Sequence, residues 1–267
     1  MPVGYSIYRD RASVVHQGLD PRTKFLWLFV LFGVALCFNN PIVLGATVAA
    51  ILAVAFSAKL GWTDLGGFIW LSIWLTFLSV LIWPAYIAQG VHLFTLGTLT
   101  FTVDGVLFGV AMGFRITIMI LAAAILMLTT SPQLITAGLL GLGLNYRVGT
   151  ALSLTIRFIP LMNSERVTIL EAQRARGADL TRGNPVRRAV KAAPVLVPLF
   201  GRAMMTAQNL TVAMDARGFG ARDKRTNITR LAFGRGDVII CIVGVLVIGT
   251  SIALRLLGIG VLVKGML

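Results

Sequence analysis

The sequence has little charge, few acids and almost none of the residues that build disulfides or metal sites. Only 13% of its 267 residues are charged, and ten Asp and Glu residues stand against 24 Lys and Arg, which leaves a formal net charge of +14. Cys37 and Cys241 both fall in apolar stretches, so a disulfide framework is not indicated. His16 and His92 lie in different predicted loops, so they predict no metal site. Soluble domains average about 25% charged residues, which argues against a soluble protein here.

The motifs of common nucleotide-binding and membrane enzymes are also missing. The chain has no Gly-x-x-x-x-Gly-Lys-Ser/Thr loop to hold nucleotide phosphates and no His-Glu-x-x-His pair to bind zinc. Its ten acids are scattered, whereas a magnesium-dependent transferase needs them clustered. We therefore predict a non-catalytic protein that binds no cofactor or metal ion of its own.

Apolar residues are abundant and occur in long runs. They make up 57% of the chain, and five stretches approach the 20 or so residues that a membrane crossing needs, with about 17 as the lower limit. These stretches lie near 23–39, 41–58, 66–84, 105–130 and 237–257. The first two are short and separated only by the turn signal Asn39-Asn40-Pro41. Together they exceed one crossing, so the sequence predicts two helices there and an all-α polytopic membrane protein with about five transmembrane helices.

Basic residues are distributed unequally around these stretches. Lys and Arg near spans stay on the cytoplasmic side, and residues 131–236 hold 16 of the 24 basic residues against five acids. The N-terminus and residues 131–236 are therefore predicted to be cytosolic in a multi-pass protein of the cell inner (plasma) membrane. The predicted parts are an N-terminal arm with four transmembrane helices (1–130), a cytosolic coupling-helix module (131–236) and a last transmembrane helix (237–267). Membrane lipid is an expected partner, and nucleic acid is not.

The pattern of residues 131–236 predicts about three amphipathic helices. Ser131 and Pro132 are typical of a helix start, and the first helix should run toward Gly141 or Gly143. The sequence predicts a second helix from Pro160 to Arg176 and a third from Pro194 or Pro198 to Arg217. The third carries an apolar stripe at alternating steps of four and three, formed by Leu196, Phe200, Ala203, Ala207, Leu210 and Met214.

A six-residue pattern, Ala-x-x-Ala-Arg-Gly, occurs twice in this segment. Its copies end at Ala175-Arg176-Gly177 and at Ala216-Arg217-Gly218. A Gly just past the last turn is a common left-handed helix stop, so both arginines are predicted to sit at helix ends and to project from one platform. A cation there can simply stabilise the helix dipole. Alternatively, each guanidinium enters a groove on a partner and pairs with a carboxylate; the repetition favours this second interpretation.

Two features inside the predicted spans also suggest close contacts. Small residues line one face at Gly105, Gly109 and Gly113 and another at Gly45, Ala49 and Ala53; such faces let helices approach closely in lipid. They serve either packing within the chain or docking of a membrane partner. Arg115 lies in the middle of the fourth span, where a charge is costly and must be paired or solvated. A partner on another helix, or backbone carbonyls, is expected, in a structural or a coupling role.

These features together resemble the energy-coupling T component of energy-coupling-factor (ECF) transporters, the vitamin and metal-ion importers of the ABC class. The matching residues are Leu19-Asp20-Pro21-Arg22-Thr23-Lys24, Arg157-Phe158-Ile159-Pro160 and both Ala-Arg-Gly ends. The resemblance implies an L-shaped subunit in which Arg176 and Arg217 dock into grooves of two cytosolic ABC ATPase subunits, which hold the ATP and magnesium. It also implies one small membrane substrate-binding protein, the S component, to which this subunit transmits ATP-driven movement.

Two other functions would each explain part of this sequence. The permease of a conventional ABC importer has one coupling segment that begins Glu-Ala-Ala, which Glu171-Ala172-Gln173 and the later Gly177 imitate. A single such segment would leave the second Arg-Gly copy unexplained. A polybasic membrane scaffold that binds anionic lipid predicts scattered charge instead of two matched helix ends. The transported compound cannot be read from this chain, because in such transporters selectivity belongs to the other membrane protein.

Overall fold

Eight helices and two short strands make up the described part of the chain, and the predicted all-α polytopic fold is confirmed. The computed structural model describes residues 19–86, 92–96, 99–177, 185–221 and 234–257. The helices are α1 (Pro21–Cys37), α2 (Pro41–Ser57), α3 (Trp62–Tyr86), α4 (Val103–Thr129), α5 (Pro132–Gly141), α6 (Tyr146–Ala175), α7 (Pro185–Ala216) and α8 (Arg235–Leu256). The strands are β1 (His92–Leu96) and β2 (Leu99–Thr102). The N-terminal arm, residues 1–18, lies outside the described residues.

Three helices begin as the sequence predicts, on a polar cap followed by proline. The side chains of Asp20, Asn40 and Ser131 accept hydrogen bonds from backbone N–H groups at the starts of α1, α2 and α5. Proline follows each of these caps, where its missing N–H costs nothing because that position has no partner within the helix. The same rule predicted the first cytosolic helix, and α5 confirms it over Pro132–Gly141.

The predicted starts of the next two helices are wrong. Helix α6 begins at Tyr146, on an Asn145 cap, and contains Pro160 in its interior. Helix α7 begins at Pro185 and contains both Pro194 and Pro198. A proline inside a helix removes one backbone hydrogen bond and disfavours the turn before it. Residues on both sides still continue the helical ladder here, so each proline interrupts one bond and does not start a new helix.

Five helices of one compact unit correspond to the five predicted spans. Helices α3, α4 and α8 are long and apolar enough to cross a membrane. Helices α1 and α2 have 17 residues each, or about 25 Å of helix against a hydrocarbon core of about 30 Å. The break between them falls at 38–40, as the turn signal predicts. Helix α4 lies centrally and packs against α1, α2 and α3, while α8 packs against α1.

The described part of the chain divides into two compact units: one contains the described residues between 144 and 221, and the other, the membrane unit, contains those between 19 and 143 and between 234 and 257. Helix α5 lies in the same unit as α1. The reason is that α5 packs against the start of α1: a Cβ on Gly138 would lie 3.0 Å from Pro21 Cβ and 3.2 Å from the Phe25 ring. Helix α5 therefore belongs to the membrane unit, and α6 and α7 form the other unit.

The segment between α3 and α4 contains a feature that the sequence did not predict. Strands β1 and β2 pair antiparallel, with Thr95 opposite Thr100 and Leu96 opposite Leu99. Thr102, at the end of β2, caps α4 by accepting a hydrogen bond from the Gly105 N–H at 3.2 Å. The strand pair thus leads directly into the central helix of the membrane unit.

Candidate functional site

The first Ala-Arg-Gly motif forms the C-terminal cap of α6. The Arg176 N–H donates to the Ala172 and Gln173 carbonyls at 3.3 and 3.2 Å, and the Gly177 N–H donates to the Arg174 carbonyl at 2.9 Å. Gly177 has φ of +83°, a left-handed conformation that costs other residues roughly 1–2 kcal/mol. The glycine therefore stops the helix immediately after the arginine, as predicted.

The second motif ends α7 in the same way and with one further bond. The Gly218 N–H donates to the Asp215 carbonyl at 2.9 Å, and the Phe219 N–H donates to the Met214 carbonyl at 2.9 Å. This pair of bonds, with Gly218 at φ of +67°, is the Schellman arrangement. Both helix ends predicted from the repeated motif are confirmed, and all six motif residues are exposed.

Helices α6 and α7 run antiparallel, so their two Arg-Gly ends lie at opposite ends of the pair. The Gln173 side-chain amide donates to the Pro194 carbonyl at 3.2 Å. Glu165, eight residues before Gln173 in α6, forms an ion pair at 3.6 Å with Arg202, which is eight residues after Pro194 in α7. The contacts therefore move backward along α6 as they move forward along α7. The two motifs thus share a helix pair, as expected, but do not project from one end of it.

A ring contact extends this arrangement to the far end of the pair. Tyr146, the first residue of α6, lies with its ring centre 6.0 Å from that of Phe219, just after α7. Arg217 is therefore close to the start of α6, while Arg176 caps its end. The 30 residues of α6 give about 45 Å of helix axis between these ends.

Both motif arginines are available for an external partner. Among the residues that the structure describes, neither guanidinium has a hydrogen-bond or ion-pair partner; the ion pair between these helices uses Arg202 instead. A guanidinium offers a planar fork of donors that suits a carboxylate. Within the described part of the chain, both guanidinium groups thus stand unpaired at a helix end, where they can bind carboxylates.

An exposed apolar face accompanies these cations on α7. Phe200 of the predicted stripe is 69% exposed, and Leu196 is 59% exposed. Their apolar neighbours Val197, Met204, Met205 and Val212 are exposed as well. Because a soluble surface rarely carries so much contiguous apolar area, such a face is typical of a partner or membrane contact.

The Leu19–Lys24 hexapeptide joins α1 to three other helices of the membrane unit. Asp237, at the start of α8, is 2% exposed; its Oδ1 accepts from the Asp20 N–H and the Thr23 hydroxyl, both at 3.0 Å. The Lys24 ammonium donates to the Thr129 carbonyl at 3.0 Å, at the end of α4. The Arg22 guanidinium lies over Gly141 of α5. The sequence indicates the hexapeptide as a motif, but it does not indicate the role of Asp237, because the partners of this residue lie more than 200 positions away.

Arg115 has the kind of partners that the sequence predicts. Its Nε donates to the Ala35 carbonyl at 2.8 Å, and its Nη2 donates to the Phe38 carbonyl at 3.1 Å and to the Asn39 side chain. Arg255 of α8 donates to the Leu36 carbonyl at 2.7 Å. Two guanidinium groups therefore satisfy the last carbonyls of α1, where the dipole favours cations, and this supports the structural role for Arg115.

The Gly105–Gly113 face lies within the membrane unit. A Cβ on Gly109 would lie 3.0 Å from Val80 Cα, and one on Gly113 would lie 2.9 Å from Thr76 Cα. These contacts support packing of α4 on α3, not docking of a partner.

The second small-residue face, formed by Gly45, Ala49 and Ala53, is only partly used for packing within the chain. Gly45 faces the Phe114 ring, since a Cβ there would lie 3.3 Å from Phe114 Cε2. Ala49 and Ala53 are exposed and stay candidates for a partner contact.

Comparisons with known proteins agree with the resemblance noted in the sequence. The model of the family described as CbiQ, cobalt transport protein, matches residues 12–228. The chain is 31% identical over 245 residues to the energy-coupling factor transporter transmembrane protein EcfT of Acidaminococcus fermentans, with 87% of this chain and 89% of the relative covered. It is 32% identical over 240 residues to the protein of the same name from Bacillus subtilis, with 86% and 89% covered. The chain therefore belongs to the CbiQ cobalt transport protein family and, with these relatives, to the energy-coupling transmembrane (T) components of ECF transporters.

Proposed function

We propose that this subunit transmits ATP-driven movement of two cytosolic ABC ATPase subunits to one membrane S component, and thereby drives uptake of a vitamin or a transition-metal ion. ATP and magnesium bind to the ATPases, and this chain binds no cofactor. The N-terminus and residues 131–236 face the cytosol, and the protein lies in the cell inner (plasma) membrane. The proposal rests on the two matched Arg-Gly caps. Each cap ends its own helix, and the two lie at opposite ends of the antiparallel α6–α7 pair.

This geometry favours two ATPase contacts over one. Arg176 and Arg217 sit at the two ends of an antiparallel pair, so a single narrow groove could not receive both. The permease of a conventional ABC importer uses one coupling segment, and the family to which the chain belongs also argues against that alternative. A scaffold for anionic lipid has no need for two capped helix ends with matched hydrogen bonds.

The S component is proposed to contact the exposed apolar and small residues. The face of α7 around Phe200 needs an apolar partner, because it is exposed over several turns. Ala49 and Ala53 of α2 add a smooth surface against which a membrane helix can lie closely. The compound that is carried depends on which S component binds.

Charge reversal at both arginines tests the ATPase contact. Arg176→Glu and Arg217→Glu, made singly and together, are measured by copurification with the cognate ATPases and by substrate uptake. Each single variant should weaken assembly, and the double variant should abolish it. Arg166→Glu changes an exposed arginine in the second half of α6, away from either motif; it is the matched control and should assemble normally. Unchanged assembly and uptake in the double variant would reject the proposal.

Lysine substitutions separate partner binding from simple helix capping. Arg176→Lys and Arg217→Lys keep the cation near the helix end, so a capping role predicts almost no change. If the guanidinium fork binds a carboxylate, each substitution removes a charge-assisted bond of about 1.5–3 kcal/mol, or about 10- to 150-fold in affinity. Titration of the ATPases onto the purified subunit measures the difference.

A further inference from the structure

An apolar groove in the membrane unit has no part in the function proposed above. It has a volume of about 420 Å³ and lies between the first half of α1, the second half of α2 and the last two turns of α4. Its walls include Leu28 and Leu31 of α1, Ala50 of α2 and Ile125 of α4. This volume is within the range of about 300–1,000 Å³ that small-molecule sites occupy.

The groove has the length and setting of a site for one acyl chain. Its wall on α1 extends from Thr23 to Leu31, which is about 12 Å along the helix axis. One leaflet of a hydrocarbon core about 30 Å thick is about 15 Å deep. Ala50 and Val54 at the edge of the groove are exposed, so a lipid chain can enter from the side.

One end of the groove carries a positive charge. The Lys24 ammonium lies in its wall and donates to the Thr129 carbonyl at 3.0 Å and to the Thr130 hydroxyl at 3.3 Å. An ammonium has three donors, so one is left for a ligand. Among the described residues Lys24 has no carboxylate partner, and an anionic group at this position would therefore be attracted.

From this juxtaposition of an apolar channel and a terminal cation, we infer that the groove binds one anionic glycerophospholipid, with an acyl chain along α1 and the phosphate at Lys24. The lipid comes from the leaflet that meets the first turn of α1, which is the cytosolic leaflet in the proposed topology. A zwitterionic lipid has the same chains but a neutral head group. Lys24 should therefore favour the anionic lipid by about fivefold.

The head-group preference is tested on the unmodified full chain. The purified, delipidated protein is titrated in detergent with dioleoyl phosphatidylglycerol or dioleoyl phosphatidylcholine, and bound lipid is counted by native mass spectrometry. One phosphatidylglycerol should be retained, about fivefold more tightly than phosphatidylcholine, and excess glycerol 3-phosphate should not displace it. Equal retention of the two lipids, or displacement by glycerol 3-phosphate, would overturn the inference.

Two pairs of proteins then test the location of the site. Ala50→Phe fills the groove, whereas Ala53→Phe adds the same ring at an exposed position of α2 outside the groove, so only the first should lose the lipid. Lys24→Gln should remove the preference for phosphatidylglycerol, while Lys59→Gln, at the end of α2, should keep it. Equal lipid retention by the two Phe variants, or a preference unchanged in Lys24→Gln, would place the lipid elsewhere. Lys24 also caps α4, so Lys24→Gln could destabilise the protein. In that case the comparison of Ala50→Phe with Ala53→Phe decides where the lipid binds.

Discussion

Removing the Asp237 carboxylate should weaken the attachment of α8 to α1. Asp237 accepts hydrogen bonds from the Asp20 N–H, the Thr23 hydroxyl and the Gly234 N–H, each at 3.0 Å. The first two bonds are buried, and an unsatisfied buried donor costs about 1–3 kcal/mol. Since the Thr23 hydroxyl can rotate and Gly234 is exposed to solvent, we expect Asp237→Ala to lower the free energy of unfolding by about 2–4 kcal/mol.

Asp237→Asn provides an intermediate step in the same series. The amide keeps one acceptor oxygen but replaces the other with an NH₂ group, so at least one of the three donors then faces another donor. We expect a loss of about 1–2 kcal/mol, between wild type and Asp237→Ala. The free energy of unfolding is measured by titrating detergent-solubilised protein with SDS and following helix content by circular dichroism.

A matched acid in another helix shows whether burial is the cause. Asp104 is also in the first turn of its helix and gains the dipole interaction of about 0.3–1 kcal/mol, so Asp104→Asn should cost no more than that. If Asp237→Ala costs as little as Asp104→Asn, the buried network does not hold the two helices together. A double-mutant cycle with Thr23→Val should show coupling of at least 0.5 kcal/mol, as expected for residues in one network.

Three further changes have clear expected outcomes. Arg115→Met leaves the Ala35 carbonyl without its donor and should lower the thermal midpoint in detergent by several degrees; an unchanged midpoint would contradict the capping role. Gly113→Leu should prevent normal packing of α3 on α4 and reduce the yield of folded protein, whereas Gly67→Leu, where a Cβ has open space, should fold normally; equal yields would place the close contact elsewhere. Gly218→Ala should cost roughly 1–2 kcal/mol through its left-handed backbone, measured by SDS unfolding; no loss would show that this helix end relaxes.

The local features of the chain could be predicted because they depend on neighbouring residues. The caps at Asp20, Asn40 and Ser131 and the glycine stops after Arg176 and Arg217 are set by hydrogen bonds between residues at most five positions apart. The same kind of rule failed at Pro160, Pro194 and Pro198, because a proline that can start a helix can also be tolerated inside a longer one. The choice depends on whether the preceding residues continue the helix, which a start signal alone does not show.

The arrangement of helices could not be predicted from those local patterns. The sequence indicated that Arg115 needs a partner on another helix or carbonyls, but not that the end of α1 supplies it. The link from Asp20 to Asp237 joins residues 217 positions apart, and no periodicity encodes it. Likewise, two identical helix ends suggest a shared platform but not their positions on it; the Gln173 and Glu165 contacts place them at opposite ends of an antiparallel pair.

The opposed positions of Arg176 and Arg217 determine how the α6–α7 pair responds to pulling. If both ends are drawn the same way, the pair translates as a whole; if they are drawn in opposite directions, it turns about its middle. With about 22 Å from the centre of α6 to either end, a rotation of about 10° already displaces each guanidinium by about 4 Å. Partners that move by a few ångströms in opposite directions, across the axis of the pair, can thus impose a sizeable rotation on everything attached to these two helices.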